Sequence, residues 1–422
     1  MQTQALLTAK PEGIMNLYSS RVLVQPSDYP LVRSRDHTMG KHLTDYVHKR
    51  IPTDVIGEAV RRMTLVEVHG IFDGHIDIIK KSLGWDTVTL IRDLGKSKKG
   101  TKSNFERPKV YRVTRGTKEF IVMTVFPGED YVKHYAALVR YAMEREKKRV
   151  SEQILVVFRY PEVEKTVYEW SGLSKSHVIR PGDVIVLGYV GDVMNALILT
   201  KFKLNEVISD PLYEWVVLEN RKHRRVLLLN FSYSYWGSTA GHIAEGLYRD
   251  GANLIIHVAK AGSCKSASDV HSKSFIPQSY AKVKGEEIEY FKNPWNPILE
   301  RNPGSGTGLH VAVSTILEET YTPFREIVSR LGANSIDIEG PNMVHAAEKH
   351  CRIPDTQVGF SGVYVCSDYV RKSPREKYGH IDLATADPRV KYALKDAILN
   401  CILRFIVPYL QNLKTTTSSR HS

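Results

Sequence analysis

Ser335–Tyr369 reads SIDIEGPNMVHAAEKHCRIPDTQVGFSGVYVCSDY. Ile336 to Glu339 has the pattern of an apolar strand ending in an acid. A helix-period run follows, and Gly362 to Cys366 is a second apolar strand that ends in Ser367-Asp368. In an α/β sheet, residues just beyond strand ends face the ligand crevice. The stretch therefore predicts that Glu339 and Asp368 share one site, 29 positions apart in sequence.

The flanks repeat the same alternation. Asp183–Leu187 and Leu254–Val258 read as strands. Tyr213–Leu218 and Arg225–Phe231 read as a hairpin, followed by a loop at Ser232–Thr239 and a helix reaching Tyr248, stopped by Gly251. Farther out, His310–Leu317 reads as a strand and Phe324–Leu331 as a helix. Asp387–Leu410 reads as a long amphipathic helix, and Ser272–Gly308 as a turn-rich connection. Upstream, His42–Leu65 has helical spacing broken by Pro52, and Ile76–Leu83 is helical. Thr87–Ile91 is a short strand, and Val110–Thr114 with Glu119–Val125 forms a hairpin. Tyr131–Lys147 is a helix and Ile154–Phe158 a buried strand. The basic segment Lys96–Lys109 reads as a loop. The order hairpin–helix–strand at 110–158 recurs at 213–258, either as a duplication or as two ordinary α/β units.

Strands alternating with helices predict an α/β fold: a mixed, mostly parallel sheet covered by helices. At 422 residues the chain exceeds one hydrophobic core. The expected division is an additional N-terminal α/β domain over 1–150, a second domain over 151–415 and a disordered tail at 416–422.

The net charge of +13 favours anionic partners. No aromatic-basic repeat accompanies it, so nucleic acid is not among the expected partners. No apolar run is long enough to span a membrane, and the N-terminus lacks a basic region followed by an apolar core. The four cysteines show no C-x-x-C spacing and read as reduced thiols, so the expected location is cytoplasmic. His69, His75 and Asp77 match no zinc spacing, and no metal is expected.

Three motifs make the second half, about Arg225 to Leu410, resemble the nucleoside phosphorylase and nucleosidase superfamily. They are NFSYSYWGSTAGHIAEGL (Asn230–Leu247), IIHVAKAGS (Ile255–Ser263) and the DIEG…SDY pair. The superfamily includes purine nucleoside phosphorylases, methylthioadenosine nucleosidases and AMP nucleosidase. The resemblance implies cleavage of the N-glycosidic bond of a purine nucleoside or nucleotide. Glu339 would accept a hydrogen bond from a ribose hydroxyl, and Ile338 would pack beneath the sugar. Asp368 would be the general acid to the base, its pKa raised by burial, with Ser367 positioning it. Tyr321 and Trp236 would stack on the base. Gly237, Ser238 and Thr239 would form a phosphate-binding loop at a helix N-terminus. His257 and Lys260 stand where the family carries an Arg and a Ser or Thr. As a cationic pair they would bind phosphate, or they would leave water as the nucleophile. No cofactor is implied beyond phosphate as a co-substrate, and the family suggests a homo-oligomer.

Each residue also has a plainer reading. Glu339 would complement a helix dipole, Asp368 would cap a strand, and Arg371, Lys372, Arg375 and Lys377 would be a solvated basic run. A rival function on the same fold is a catalytically degenerate nucleotide sensor or storage protein.

Overall fold

The computed structural model describes residues 22–24, 33–71, 75–95, 108–146, 155–159, 167–169, 171–210, 212–233, 235–354, 356–376 and 387–413, with 22–24 and 155–159 as backbone strands. The expected boundary at 150/151, the tail at 416–422, most of the 96–109 loop and Lys377 lie outside them. The protein is a mixed α/β structure that divides into two compact units. One comprises Met1–Val167, Tyr233–Thr239 and Ser314–Thr322. The other comprises Tyr168–Ser232, Ala240–Val313 and Pro323–Ser422.

The first unit holds β1 (Val22–Val24), α1 (His42–His48), α2 (Thr53–Arg61), β2 (Val66–Gly70), α3 (Ile76–Leu83), β3 (Thr87–Asp93), β4 (Lys109–Arg115), β5 (Lys118–Val125), α4 (Glu129–Glu146) and β6 (Leu155–Arg159). Its strand order is β1-β6-β2-β5-β4-β3. Central β2 is buried at all five positions, a run too short and too mixed (VEVHG) to be told from the end of the preceding helix by periodicity.

The second unit holds β7 (Asp183–Gly188), α5 (Val190–Leu199), β8 (Lys203–Ser209), β9 (Tyr213–Glu219), β10 (Arg225–Phe231), α6 (Ser238–Arg249), β11 (Ala252–Ser263), β12 (Ser274–Phe275), β13 (Ser279–Lys284), β14 (Glu287–Phe291), α7 (Pro297–Arg301), β15 (Leu309–Ala312), α8 (Glu326–Leu331), β16 (Ser335–Asp337), α9 (Gly340–His350), β17 (Gly359–Tyr369), α10 (Pro388–Cys401) and α11 (Val407–Gln411). The first two residues of α6 cluster with the first unit. The stretch expected to be turn-rich, 272–308, carries three strands and a short helix. The strand expected over His310–Leu317 stops at Ala312, and Ile316–Glu318 form a 3-10 turn. The terminal helix is interrupted by a π turn over Ile402–Ile406, immediately before Pro408 near the start of α11. Proline has no N–H to continue the ladder, so the break falls there.

Both units share one topology. β2-α3-β3-β4-β5-α4-β6 gives the order β6-β2-β5-β4-β3, and β7-α5-β8-β9-β10-α6-β11 gives β11-β7-β10-β9-β8. The first strand of each set pairs in parallel with the fourth and fifth, and the hairpin strands pair antiparallel. The third position even carries the same irregularity, a register shift at Leu90/Arg92 in one and Leu204/Glu206 in the other. The likeness thus extends beyond the 110–158 and 213–258 stretches.

In the second unit β7, β10, β11 and β17 run parallel and are nearly continuously apolar, as strands covered on both faces must be. One large cluster joins Val186, Leu228, Ile256 and Val363 to Val193 and Leu197 of α5 and to Leu394, Ile398 and Ile402 of the C-terminal helices. No described helix is long and apolar enough to cross a membrane.

Candidate functional site

β17 follows β11 in parallel for ten paired positions, ending at Gly262↔Asp368 and Ser263↔Tyr369 after a register shift at Ala261/Gly262. On its other edge β11 pairs with β16, Gly262↔Ile336 and Ser263↔Ser335, and this pairing is antiparallel. The two carboxylates therefore leave their strands in opposite directions, rather than at like ends of parallel strands as the sequence suggested. What relates them is Gly262, flanked by Asp368 on one side and Ile336 on the other. A Cβ on Gly262 would sit 3.2 Å from Asp368 Oδ2 and 3.1 Å from Ile336 Cγ2. A side chain there would crowd the carboxylate.

Asp368 is half-buried, and its Oδ1 accepts the Ser367 hydroxyl at 2.6 Å. Ser367 itself is buried. Glu339 lies past the end of its strand, at the N-cap position of α9, where its Oε2 accepts the Ile338 N–H at 3.3 Å. Burial, and then the charge of Asp337, push the Glu339 carboxyl up to about 8; the Lys260 ammonium pulls the other way. Burial and the Asp337 charge thus favour the protonated form of Glu339, where the resemblance implied an acceptor for a ribose hydroxyl. Ile338 packs against the apolar cluster around Val311 and Ile336.

Asp337, which the sequence reading passed over, is the most engaged acid in the site. Its carboxylate accepts the N–H groups of Glu339 at 3.2 Å and Gly340 at 3.0 Å, holding the first turn of α9. Its Oδ1 lies 3.0 Å from His310 Nε2, and burial, then the Asp337 charge, push the nearby Tyr364 hydroxyl up. His310 Nδ1 is 2.7 Å from Ser335 Oγ, and the Tyr364 ring stacks on the imidazole at 4.6 Å. Ser335, His310 and Asp337 form a Ser–His–Asp array with less than a tenth of each side chain exposed. That burial makes it a clamp on α9 rather than a nucleophile. A signal was present: in a strand, Ser335 and Asp337 share a face.

A consequence for pH follows from Glu339. Its folded-state pKa stands above the unfolded 4.5, so the folded protein binds this proton more tightly. The stability it contributes is complete below 4.5 and is lost as pH rises towards about 8. A one-proton difference costs up to about 1.4 kcal/mol per pH unit. Glu339→Gln, neutral throughout, is expected to flatten the fall in thermal stability across that window. Parallel melting profiles for wild type and variant would contradict the assignment.

His257 and Lys260 do not form a cationic pair. His257 is buried edge-on to Tyr364 at 5.8 Å, and burial pushes its imidazole down to about 4, against the pull of Asp337. It is neutral, while Lys260 is exposed.

The loop expected to bind phosphate is already engaged within the first unit. The Ser238 N–H donates to Asp130 Oδ2 at 2.8 Å. Gly237, at φ +66°, lies so close to Asp130 that any side chain would collide with it, and Thr239 is wholly buried. A carboxylate thus occupies the position proposed for phosphate at Gly237, Ser238 and Thr239. Trp236 packs on Tyr131, ring centroids 3.9 Å apart, and edge-on to His134. The Tyr321 N–H bonds to Asp36 O at 2.8 Å. Both aromatics cluster with the first unit, whereas Glu339, Ile338, Ser367, Asp368, His257 and Lys260 belong to the second. Among the described residues no group of three or more His, Cys, Asp or Glu could hold a metal ion.

No family model matches the chain. It is 27% identical over 366 residues to oxidoreductase cns1 of Cordyceps militaris, covering 83% of this chain and 46% of that protein. The chain therefore spans about half the length of the curated relative it matches, and the oxidoreductase name belongs to that longer protein. Similar solved structures are the 5′-methylthioadenosine/S-adenosylhomocysteine nucleosidase of Neisseria meningitidis (12% identity, TM-score 0.38, 56% of this chain and 100% of that one), futalosine hydrolase of Helicobacter pylori (11%, 0.36, 54% and 99%) and 5′-methylthioadenosine nucleosidase of Arabidopsis thaliana (11%, 0.35, 56% and 98%). Scores below 0.5 do not establish a shared fold.

Proposed function

We propose that the second unit cleaves the N-glycosidic bond of a purine nucleoside or nucleotide. The observation that carries the proposal is Asp368, set beside Gly262 and held by Ser367, with the buried acid Glu339 following the strand whose Ile336 pairs with the same glycine. Asp368 protonates the departing base, so that the base leaves neutral as the bond breaks. Glu339 holds a ribose hydroxyl. As a protonated acid it donates to the hydroxyl oxygen and, once ionised, it steadies the positive charge that develops on the sugar.

Water is the nucleophile favoured here over phosphate. The amide cradle at Ser238 is taken by Asp130, and neutral His257 supplies no charge for a phosphate anion. The protein should therefore release free base from at least one of adenosine, inosine, AMP and methylthioadenosine, at equal rates with and without phosphate. Release only with phosphate would overturn the choice of water. Binding without release from all four would overturn the enzyme and favour a nucleotide-binding role.

A further inference from the structure

The first unit carries a groove that none of the motifs above touches. Residues of α2, β3, β4 and β5 line it, and it encloses about 480 Å³, the size of a small-molecule site. Its floor is apolar: Ala59 and Ile121 are buried and Ile91 is half-buried. Its rim is charged. Arg61, Arg62, Arg92 and Arg112 stand there with Asp54, Glu58 and Glu119, so cations outnumber carboxylates by one.

An irregularity in the sheet gathers this set. Thr89 pairs with Arg112 and Arg92 with Val110, across a register shift at Leu90/Arg92. Val110 and Arg112 are two positions apart and share a face, whereas Thr89 and Arg92 are three apart and in a regular strand would point to opposite faces. The extra residue, Ile91, turns Arg92 onto the face of Arg112. Ile121 pairs with Arg112, and Glu119 lies two residues before it, so both share that face. On α2, Asp54, Glu58 and Arg61 recur at helical spacing and line the opposite wall. The second unit has the same bulge, but there Glu206 takes the place of Arg92. The bulge is common to both units; the cation belongs to the first.

The arginines are held loosely. Arg92 donates to Asp54 at 2.7 Å, Arg62 meets Glu58 at 2.8 Å and Arg112 meets Glu119 at 3.5 Å, with 45% to 63% of each side chain exposed. Exposed ion pairs contribute little to stability, so a ligand anion can take over an arginine at small cost. A guanidinium presents a planar fork of donors that matches phosphate oxygens. Arg92 and Arg112 are diagonal neighbours on adjacent strands, about 7–8 Å apart at the backbone, within reach of a shared anion for side chains of this length. The carboxylates beside them repel a bare anion but accept hydrogen bonds from hydroxyl groups.

We propose that this groove binds a nucleoside phosphate. The phosphate takes Arg92 and Arg112, the sugar hydroxyls donate to the neighbouring carboxylates, and the base lies on the floor at Ile91 and Ile121. The site is separate from Asp368 and does not depend on the glycosidic reading.

The test uses the full chain carrying Asp368→Asn, so that the second unit consumes little of the probe. AMP is titrated while the isoleucine methyl groups are followed by NMR, with inorganic phosphate and adenosine as the two halves of the probe. AMP should shift the Ile91 and Ile121 methyls saturably and bind more tightly than either half. Adding Arg92→Gln and Arg112→Gln together should weaken that response by about tenfold or more, and higher salt should weaken it too. The melting temperature should stay close to that of the parent, because the ion pairs removed are exposed. Shifts confined to Ile336 and Ile338 would assign the nucleotide to the second unit and overturn the groove. Phosphate alone binding as well as AMP, no shift at all, or an unaltered response in the arginine variant would overturn it equally.

Discussion

Asp368→Asn is expected to lower kcat for base release by about 10²–10⁴-fold, the usual contribution of a positioned acid, with little change in KM. The amide is isosteric, so it can still accept the Ser367 hydroxyl that now bonds to Oδ1 at 2.6 Å. It also keeps the size of the group beside Gly262, where a Cβ on the glycine would sit 3.2 Å from Asp368 Oδ2. What it cannot do is deliver a proton. Geometry is thus kept and chemistry removed, which separates an acid from a strand cap. Steady-state base release, with the melting temperature as a control, checks the point. Activity within about threefold of wild type would remove Asp368 as the acid.

Asp337→Ala is expected to destabilise the second unit by about 3 kcal/mol or more, because the Glu339 and Gly340 amides and His310 Nε2 all lose a buried acceptor and each unsatisfied group costs about 1–3 kcal/mol. Losing a helix cap alone costs only about 1 kcal/mol, so the size of the effect decides which role dominates. The carboxylate serves both. It caps α9 through the Glu339 and Gly340 amides, and it meets His310 in the interior. Asp337→Asn keeps an acceptor for the amides and should cost less. Both variants remove the negative charge that helps to raise the Glu339 carboxyl, so Glu339 should titrate lower in each. Urea unfolding of the two variants checks the stability. A loss of only about 1 kcal/mol for the alanine would reduce Asp337 to a cap.

Part of this was legible without coordinates. Apolar runs such as Asp183–Leu187 and Leu254–Val258 announce strands, and the hairpins and glycine stops mark the elements between them. Glu339 and Asp368 stand out as acids closing apolar runs. Central β2 and the three strands within 272–308 escaped, because short or mixed strands earn their burial from neighbours and not from their own pattern. His310 escaped as well, because a lone histidine in sequence carries no sign of what it will face.

The sequence by itself determined the alternation of strands and helices, the mixed α/β class and the two acids worth examining. Only the tertiary structure decided what those acids are. The antiparallel setting of β16 beside β11 is a pairing between segments more than seventy positions apart, and no local pattern encodes it. On its other edge β16 pairs in parallel with β15, which sets Asp337 beside His310, and burial together with the Asp337 charge raises the Glu339 carboxyl. In the same way, Gly237-Ser238-Thr239 has the composition of an anion cradle, but a carboxylate distant in sequence, Asp130, already accepts its amide. Composition sets which groups can bind a charge; packing decides which charge reaches them first.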